Sequence, residues 1–318
     1  MAWENNDPGG IGSGDDYTLF LKVYGGEVVK AYNLASDVHN KLRSRTIQSG
    51  KSATFPTISK EEAKIFTPGQ DLFSDDNGYE SDMAHDEKVI SINKMLIATA
   101  FVDEVEEMMA HYDVRGPYAE QMGAALATAH DRWAIAALLS DATAGTAVGS
   151  TGSWTAGNFK TAIEEAAGLM DSAGVPKKGR YVLVTPTLFY ELMDEDDVIG
   201  SDYNTTGDRG HVGTLWYMGF EIINSALWGE FDGETDLDGA GKPLVDIGLG
   251  RGDAYDDSAA TKIGALAFHK DCAATVTLKG LSTSVDWVPE RQGNLLVAKQ
   301  AIGCDVLRSI GIAPLGGA

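Results

Sequence analysis

SATFPTIS at 52–59 and EKVISI at 87–92 decide the architecture. Both read as strands, and the stretch between them, KEEAKIFTPGQDLFSDDNGYESDMAHD, is polar and full of turn formers. The pattern is a long two-stranded excursion with a loosely patterned tip. A ribbon of two strands buries too little apolar surface to be stable alone in water. It is therefore expected to pack on something outside its own domain, with another copy of the chain as the natural support.

Downstream of the ribbon, Ile90 and Ile92 alternate in one phase while Met95, Ile97 and Thr99 follow in the other, which predicts a β-bulge near Asn93-Lys94. DEVEEMMAHYD (103–113) suits a short amphipathic turn. Pro117 then stands at a first helical position, and Tyr118, Met122, Leu126, Ala129, Trp133 and Ala137 line one helical face. A helix over about 117–141 would be roughly 37 Å long at 1.5 Å per residue, the proportions of a strut. SDATAGTAVGSTGSWTAG (140–157) is small and polar and marks a boundary.

A second unit follows. Phe159, Ile163, Ala166 and Met170 fall on one helical stripe that ends at Gly174, with Pro176 just beyond, as a left-handed cap requires. RYVLVT (180–185) reads as a buried strand, and Thr185-Pro186 supplies an N-cap and first residue for the short helix LFYELM. GFEIIN (219–224) and GALAFH (264–269) are further strands, separated by an acidic, Gly-rich loop from Trp228 to Lys262, so a mixed α/β layer with a central sheet is expected. The tail from Leu281 to Pro314 alternates as strand, with Val285 and Trp287 on one side and Ser284 and Asp286 on the other. At the other end, residues 1–16 have little to bury and read as a tail. Leu21, Tyr24, Val28 and Tyr32 then recur at helical spacing, although Gly25-Gly26 should weaken or kink that helix, which looks like an arm rather than a core element.

Composition narrows the function. With 318 residues, 43% hydrophobic, the chain can bury a sizeable core. Its 25 Lys and Arg against 47 Asp and Glu give a net charge of −22, which argues against a sequence-independent grip on phosphate backbones. The acidic opening MAWENNDPGGIGSGDD lacks the pattern of a secretory signal, and no apolar run approaches the ~18 residues that span a bilayer, so the chain is expected to stay in the cytoplasm where it is made, with no membrane partner. Cys272 and Cys304 read as two buried thiols.

Motifs for chemistry were sought and none qualifies. Gly50-Lys51-Ser52 resembles the end of a phosphate-binding loop, but Arg45 stands where that loop needs a glycine, and a strand follows in place of a helix. Glu234, Asp236, Asp238 and Gly239 imitate a calcium loop, yet Val245 occupies the position of the closing carboxylate. Arg251-Gly252-Asp253 matches an adhesion tripeptide at the level of chance. His39, His85, His111, His130, His211 and His269 include no pair at i, i+4, and neither Ser13 nor Ser150 sits in a nucleophile elbow. No catalytic, cofactor-binding or metal-binding residue is therefore assigned, and no cofactor is expected.

LFLKVYGGEV (19–28), SGKSATFP (49–56), EKVISI (87–92) and HYDVR (111–115) occur in the same order as in a known family. The chain resembles the major capsid proteins of the T-seven-like short-tailed phages, densely over 17–140, thinly over 158–225 and weakly across 228–262. The resemblance implies an α+β fold of the Hong Kong 97 type. Its parts would be an N-terminal arm (1–45), an extended β-hairpin loop (46–87), a peripheral domain with the spine helix (88–147), an α/β axial domain (148–283) and return strands of the peripheral domain (284–318). It implies a structural, non-enzymatic subunit of an icosahedral head in the virion, assembled in the host cytoplasm. The implied partners are further copies in pentamers and hexamers, a scaffolding protein, a portal at one vertex, a decoration protein outside, and double-stranded DNA only as enclosed content. Some relatives of the wider fold join lysine to asparagine between subunits; Lys51, Lys60 and Lys64 lie where such a lysine would sit, but these short-tailed phages are not expected to use it. Two rivals stand beside this reading: an encapsulin-like compartment shell of the same fold, and a hydrolase with a non-contiguous site.

Overall fold

The structure, a computed structural model, describes residues 15–58, 85–92, 95–103, 115–142, 156–194, 215–230 and 264–315, with a few positions between 63 and 69. The elements run α1 (Asp15–Ala35), β1 (Arg43–Thr46), β2 (Ser52–Ile58), β3 (His85–Ser91), β4 (Met95–Asp103), α2 (Arg115–Ala142), α3 (Ala156–Ser172), β5 (Arg180–Val184), α4 (Pro186–Asp194), β6 (Leu215–Tyr217), β7 (Phe220–Asn224), β8 (Ala265–His269), β9 (Ala273–Val288), β10 (Gly293–Val306) and β11 (Ile312–Leu315). They form a four-stranded sheet in the order β1-β9-β10-β4, a five-stranded sheet in the order β11-β8-β5-β7-β6, and a ribbon of β2 and β3. Pairing is antiparallel except between β1 and β9 and between β5 and β7.

Helix α2 ties the two sheets together. Its 28 residues span about 42 Å. The first half buries Ala119, Met122, Leu126 and Ala127 with Tyr24, Val28 and Tyr32 of α1 and with Leu96, Val285 and Leu296 of the four-stranded sheet. The second half buries Ala134, Ile135, Leu138 and Leu139 with Leu183, Leu266 and Phe268 of the five-stranded sheet. Because the helix changes neighbours along its length, its buried stripe shifts round the axis. Met122, Leu126 and Ala137 are buried as the sequence pattern predicts, Ala129 and Trp133 are only partly so, and Tyr118 is exposed. At Gly123 a Cβ would lie 2.5 Å from the Val28 carbonyl and 2.8 Å from the Ala31 Cβ, so glycine there lets α1 and α2 touch backbone to backbone.

The expectation that the N-terminal helix is an arm outside the core is corrected. Tyr24, Val28 and Tyr32 do share a face, as read, but that face is buried in the body, and α1 runs unbroken through Gly25-Gly26. Tertiary packing overrides the weak helix propensity of the pair.

The ribbon pairs from Ser52 with Ser91 to Ile58 with His85, as the two quoted stretches predict. Its support is a second correction. Ala53, Phe55, Ile90 and Ile92 pack on Ala274, Val276 and Ala301 of the same chain, and the Ile92 amide donates to the Lys51 carbonyl at 2.7 Å. The root of the ribbon is thus anchored on its own body; most of the tip lies outside the described residues. The β-bulge expected near Asn93-Lys94 lies outside the described residues; on either side of it β3 belongs to the ribbon and β4 to the four-stranded sheet, where Leu96 and Val102 turn inward while Met95 and Ile97 face solvent.

The second unit matches its pattern closely. Phe159, Ile163, Ala166 and Met170 are all buried, Gly174 has φ of 73°, and the Val175 amide closes the helix end on the Met170 carbonyl. Thr185 Oγ1 accepts from the Leu188 amide at 3.4 Å and caps α4. Strand β6 was not read from the sequence; it pairs with β7 through a turn at Met218-Gly219, where both residues have positive φ. The chain leaves the five-stranded sheet at His269 and enters the four-stranded one at Ala273, ahead of the 283/284 division drawn from the sequence, and β11 then returns to the five-stranded sheet. Trp287, read as inward with Val285, is exposed near the strand end.

Candidate functional site

The densest polar cluster among the described residues lies where α1 turns toward β1 against α2. Asp131, fully buried, accepts from the backbone amides of Asp37 at 2.7 Å and His39 at 2.8 Å, and from His39 Nδ1 at 2.8 Å. Its carboxylate thereby caps the 3₁₀ turn His39–Lys41 from another element. The His39 and His130 rings stack with centroids 4.1 Å apart. Gln300 donates to the Tyr32 hydroxyl at 3.4 Å, which leaves the hydroxyl proton for His130 Nδ1 at 2.6 Å. Gln300 faces inward in step with Leu296, Ala298 and Ile302 along β10.

Burial sets the electrostatics. It holds His130 down to about 3, helped by His39 and opposed by Asp131. It raises Tyr32 to about 12. For Asp131 burial pushes up, but the hydrogen bonds from His39 and from the amides of Asp37 and His39 outweigh it and leave the carboxyl below its ordinary range. The neutral His130 keeps a proton on Nε2 that meets no acceptor.

Ser36, His39 and Asp131 bring together the residue types of a hydrolytic triad, but not its geometry. Ser36 Oγ lies 2.8 Å from Nδ1, the nitrogen that Asp131 already engages, and 3.3 Å from Nε2. A triad needs the hydroxyl on the far nitrogen and a reachable reacting atom. Here the imidazole is covered by His130 and serves as a tether.

The sequence motifs fare as follows. Gly50, with φ of 105°, and Lys51 form the turn into β2, so no helix start is present to hold a phosphate. Residues 234–239 and 251–253 lie outside the described residues, as do Lys60 and Lys64. Neither cysteine forms a disulfide, both are buried, and burial pushes the Cys272 thiol up. No group of His, Cys, Asp and Glu among the described residues converges to hold a metal ion, and no described helix is long and apolar enough to cross a membrane. The His39–Asp131–His130–Tyr32 cluster escaped sequence reading because its two halves, Tyr32 with His39 and His130 with Asp131, lie more than 90 positions apart. The one available signal was His130-Asp131-Arg132, the titratable run within Met122–Leu139 of α2.

What the molecule offers outward is surface. Met95 and Ile97 stand on the face of the four-stranded sheet opposite α2, Trp216 and Met218 on the edge strand of the five-stranded sheet and its turn, and Val89 on the outer face of the ribbon.

The model of the Gp10A-like major capsid protein family matches residues 54–313. The chain belongs to that family. Among Gp10A-like relatives, the major capsid protein of Escherichia phage T7 is 29% identical, with 96% of this chain and 93% of that one covered. That of Enterobacteria phage T3 is 28% identical, with 95% and 92% covered. The capsid of the cyanophage P-SCSP1u superposes with a TM-score of 0.66 at 25% identity, covering 89% of this chain and 88% of that one. The fold is the Hong Kong 97 type, and the role is that of a major capsid protein of a tailed phage. As a Gp10A-like protein the chain associates with copies of itself in a virion capsid. A virus-like particle from Pyrococcus furiosus superposes with a TM-score of 0.57 at 13% identity, a likeness of fold alone.

Proposed function

We propose that this subunit closes into an icosahedral head of pentamers and hexamers around double-stranded DNA, with a scaffolding protein guiding assembly, a portal at one vertex, a decoration protein outside, and assembly in the host cytoplasm. The five-stranded sheet with α3 and α4 is the axial domain, from about 148 to His269 and completed by β11. The four-stranded sheet with α2 is the peripheral domain, 88–147 with the return strands from Ala273, and 46–87 is the extended loop. Residues 1–45 stand where the arm would, with α1 packed into the body. The observation that carries the reading is the ribbon: anchored at its root by Phe55 and Ile90, it leaves Val89 outward and stays paired as far as Ile58 with His85. A closed multi-copy shell gives it partners.

The chain has no catalytic centre in this reading. The Ser36–His39–Asp131 geometry supports that. Expression with its scaffolding protein, followed by electron microscopy and sizing, tests the proposal. Uniform closed particles are expected. A protein that stays monomeric with scaffold present, or that turns over ester or phosphate substrates in purified form, overturns it.

A further inference from the structure

The net charge of −22 is not spread evenly along the chain. From Val38 to Ile58 the sequence carries Lys41, Arg43, Arg45 and Lys51 and no Asp or Glu. Strand β1 lies inside that stretch and reads Arg43-Ser44-Arg45-Thr46: two guanidinium groups, two hydroxyls and no apolar side chain, with all four residues exposed. A strand that packs on its own core alternates apolar with polar residues, so packing within the chain does not account for this composition.

Geometry makes the strand a row of donors. β1 is an edge of the four-stranded sheet, paired only with β9 among the described residues. The Arg43 and Ile47 amides donate to the Lys270 and Thr277 carbonyls at 3.2 and 2.9 Å, so the Ser44 and Thr46 amides, which alternate with them, point away from β9. Arg43 and Arg45 share a face about 6.6 Å apart. Their guanidinium groups lie 5.8 and 5.5 Å from the Phe55 ring centroid, and Arg45 donates to the Thr54 carbonyl at 2.7 Å. Phe55, buried against Ala274 and Val276, props both cations at the rim where ribbon and sheet meet. Exposed Lys270 and Lys178 extend the row beyond Arg43: the Lys270 amide donates to the Gly179 carbonyl at 2.9 Å, its side chain packs over Gly179, and the Lys178 carbonyl accepts from His269 Nε2 at 3.1 Å. Exposed Lys51 extends it at the other end, in the turn before β2. Lys41 is paired with Glu221 at 2.7 Å and Asp271 lies 3.8 Å from the His269 imidazole, but no carboxylate among the described residues pairs with Arg43, Arg45, Lys51, Lys178 or Lys270.

We propose that this rim, Arg43-Ser44-Arg45-Thr46 with Lys51, Lys178 and Lys270, is a contact site for the phosphate backbone of the enclosed duplex DNA. The inference rests on the shell reading above and assigns the chain's touch on its content to one edge strand. The overall charge does not oppose it: at physiological ionic strength a charge is felt over about 8 Å, so a phosphate at the rim meets these cations and hydroxyls and is screened from carboxylates elsewhere on the molecule. The donor types fit, since phosphate oxygens are taken by arginine and lysine, by serine and threonine hydroxyls and by backbone amides, without regard to base sequence. An acidic peptide is disfavoured by the strand itself. A peptide that adds to a sheet edge takes its specificity from pockets for alternate side chains, and β1 offers it arginine, serine and threonine alone. A handful of contacts per copy grips weakly, and many copies facing one duplex add up while each remains free to let go.

The test measures binding of the free full-length chain to a mixed-sequence DNA duplex by fluorescence anisotropy at about 50 and about 200 mM salt. Wild type is compared with Arg43→Gln/Arg45→Gln, with Lys51→Gln/Lys270→Gln, which leaves the Phe55 ring untouched, and with Lys30→Gln/Arg291→Gln, exposed cations away from the rim; circular dichroism checks each fold. Affinity falls with salt by a log–log slope of about 0.9 per phosphate contact, so removing two contacts should make the salt-induced loss about twelvefold smaller than in wild type. That is the result expected for both rim variants, with the control pair behaving as wild type. As a second readout, DNA-filled particles are treated with formaldehyde and digested, and nucleotide adducts are expected on Lys51, Lys178 or Lys270. No duplex binding by the wild-type chain at the lower salt, wild-type salt dependence in both rim variants, or adducts confined to other lysines overturns the site and leaves the shell reading standing. Rim variants that keep duplex affinity but lose particle yield assign the rim to a protein neighbour and overturn it as well. Failure of the wild-type chain to form particles with its scaffold overturns the shell reading itself, whatever the free chain does with DNA.

Discussion

Asp131, fully buried, ties the backbone amides of Asp37, Val38 and His39 and the His39 imidazole to α2. Asp131→Asn keeps one acceptor but loses the charge, so His39 and a backbone amide of the 37–39 turn are left short of a partner. A loss of about 2–3 kcal/mol in chemical denaturation is expected. The neighbouring histidine makes the junction acid-sensitive. His130 folds with its proton affinity lowered from 6.5 to about 3, so between those values the unfolded chain takes up a proton that the folded one refuses. Its contribution is complete above pH 6.5 and is lost as pH falls, at up to about 1.4 kcal/mol per unit. Asp131, lowered below its ordinary 3.8, adds to the loss under still more acid conditions, while Asp37, raised by burial and by Asp131, opposes it weakly. Tyr32, raised from 10.0 to about 12, acts at the other extreme: its contribution is whole below pH 10 and fades as pH climbs toward 12. Denaturation midpoints of the free subunit measured from pH 7 to pH 4 should fall, and a flat profile would refute the account. Gly123→Ala belongs to the same scale. Its methyl group would meet the Val28 carbonyl at 2.5 Å, and separating α1 from α2 should cost about 1–3 kcal/mol, read as a lower thermal midpoint.

Elements differ in how openly the sequence declared them. Helix α3 could be read residue by residue, because its stripe of Phe159, Ile163, Ala166 and Met170 meets one core, shared by the five-stranded sheet and α4, and its end is fixed by local chemistry at Gly174. Helix α2 was legible in existence and extent but not in its face. A helix that serves two sheets buries different sides in its two halves, and no single period describes that. The ribbon's pairing was legible too, whereas its seat was not: Ala274, Val276 and Ala301 lie over 180 positions from Phe55 and Ile90, and nothing local announces them. The polar junction stayed hidden for the same reason. The ribbon's anchor can be tested directly. Phe55→Ala should cost about 3–5 kcal/mol of local stability and raise amide exchange across 52–58 and 85–91 while α3 and β5 keep their protection. Unchanged exchange in the ribbon would mean that Phe55 does not hold it.

On the scale of the whole molecule, one pairing organises the rest. β1 lies parallel to β9, with Arg43 beside Ala274, and the same late segment supplies the floor under the ribbon and one wall against α1. More than two thirds of the chain separates the partners, a topology that folds slowly because loop closure precedes any reward. A chain ending at residue 263 should therefore lack both the seat of the ribbon and the middle of the four-stranded sheet. Expressed alone it is expected to aggregate or to remain unfolded by circular dichroism, and when mixed with full-length chain it should be absent from purified particles.

During translation the ribbon leaves the ribosome long before anything exists to hold its root. At roughly 5–20 residues per second, the wait for β9 lasts on the order of 10–45 seconds. A polypeptide abandoned part-way, or nicked near its carboxyl end, has no platform from which to extend its hairpin and gains no admission to the lattice. Proofreading of the building blocks is in this way written into strand order, ahead of any chaperone or protease.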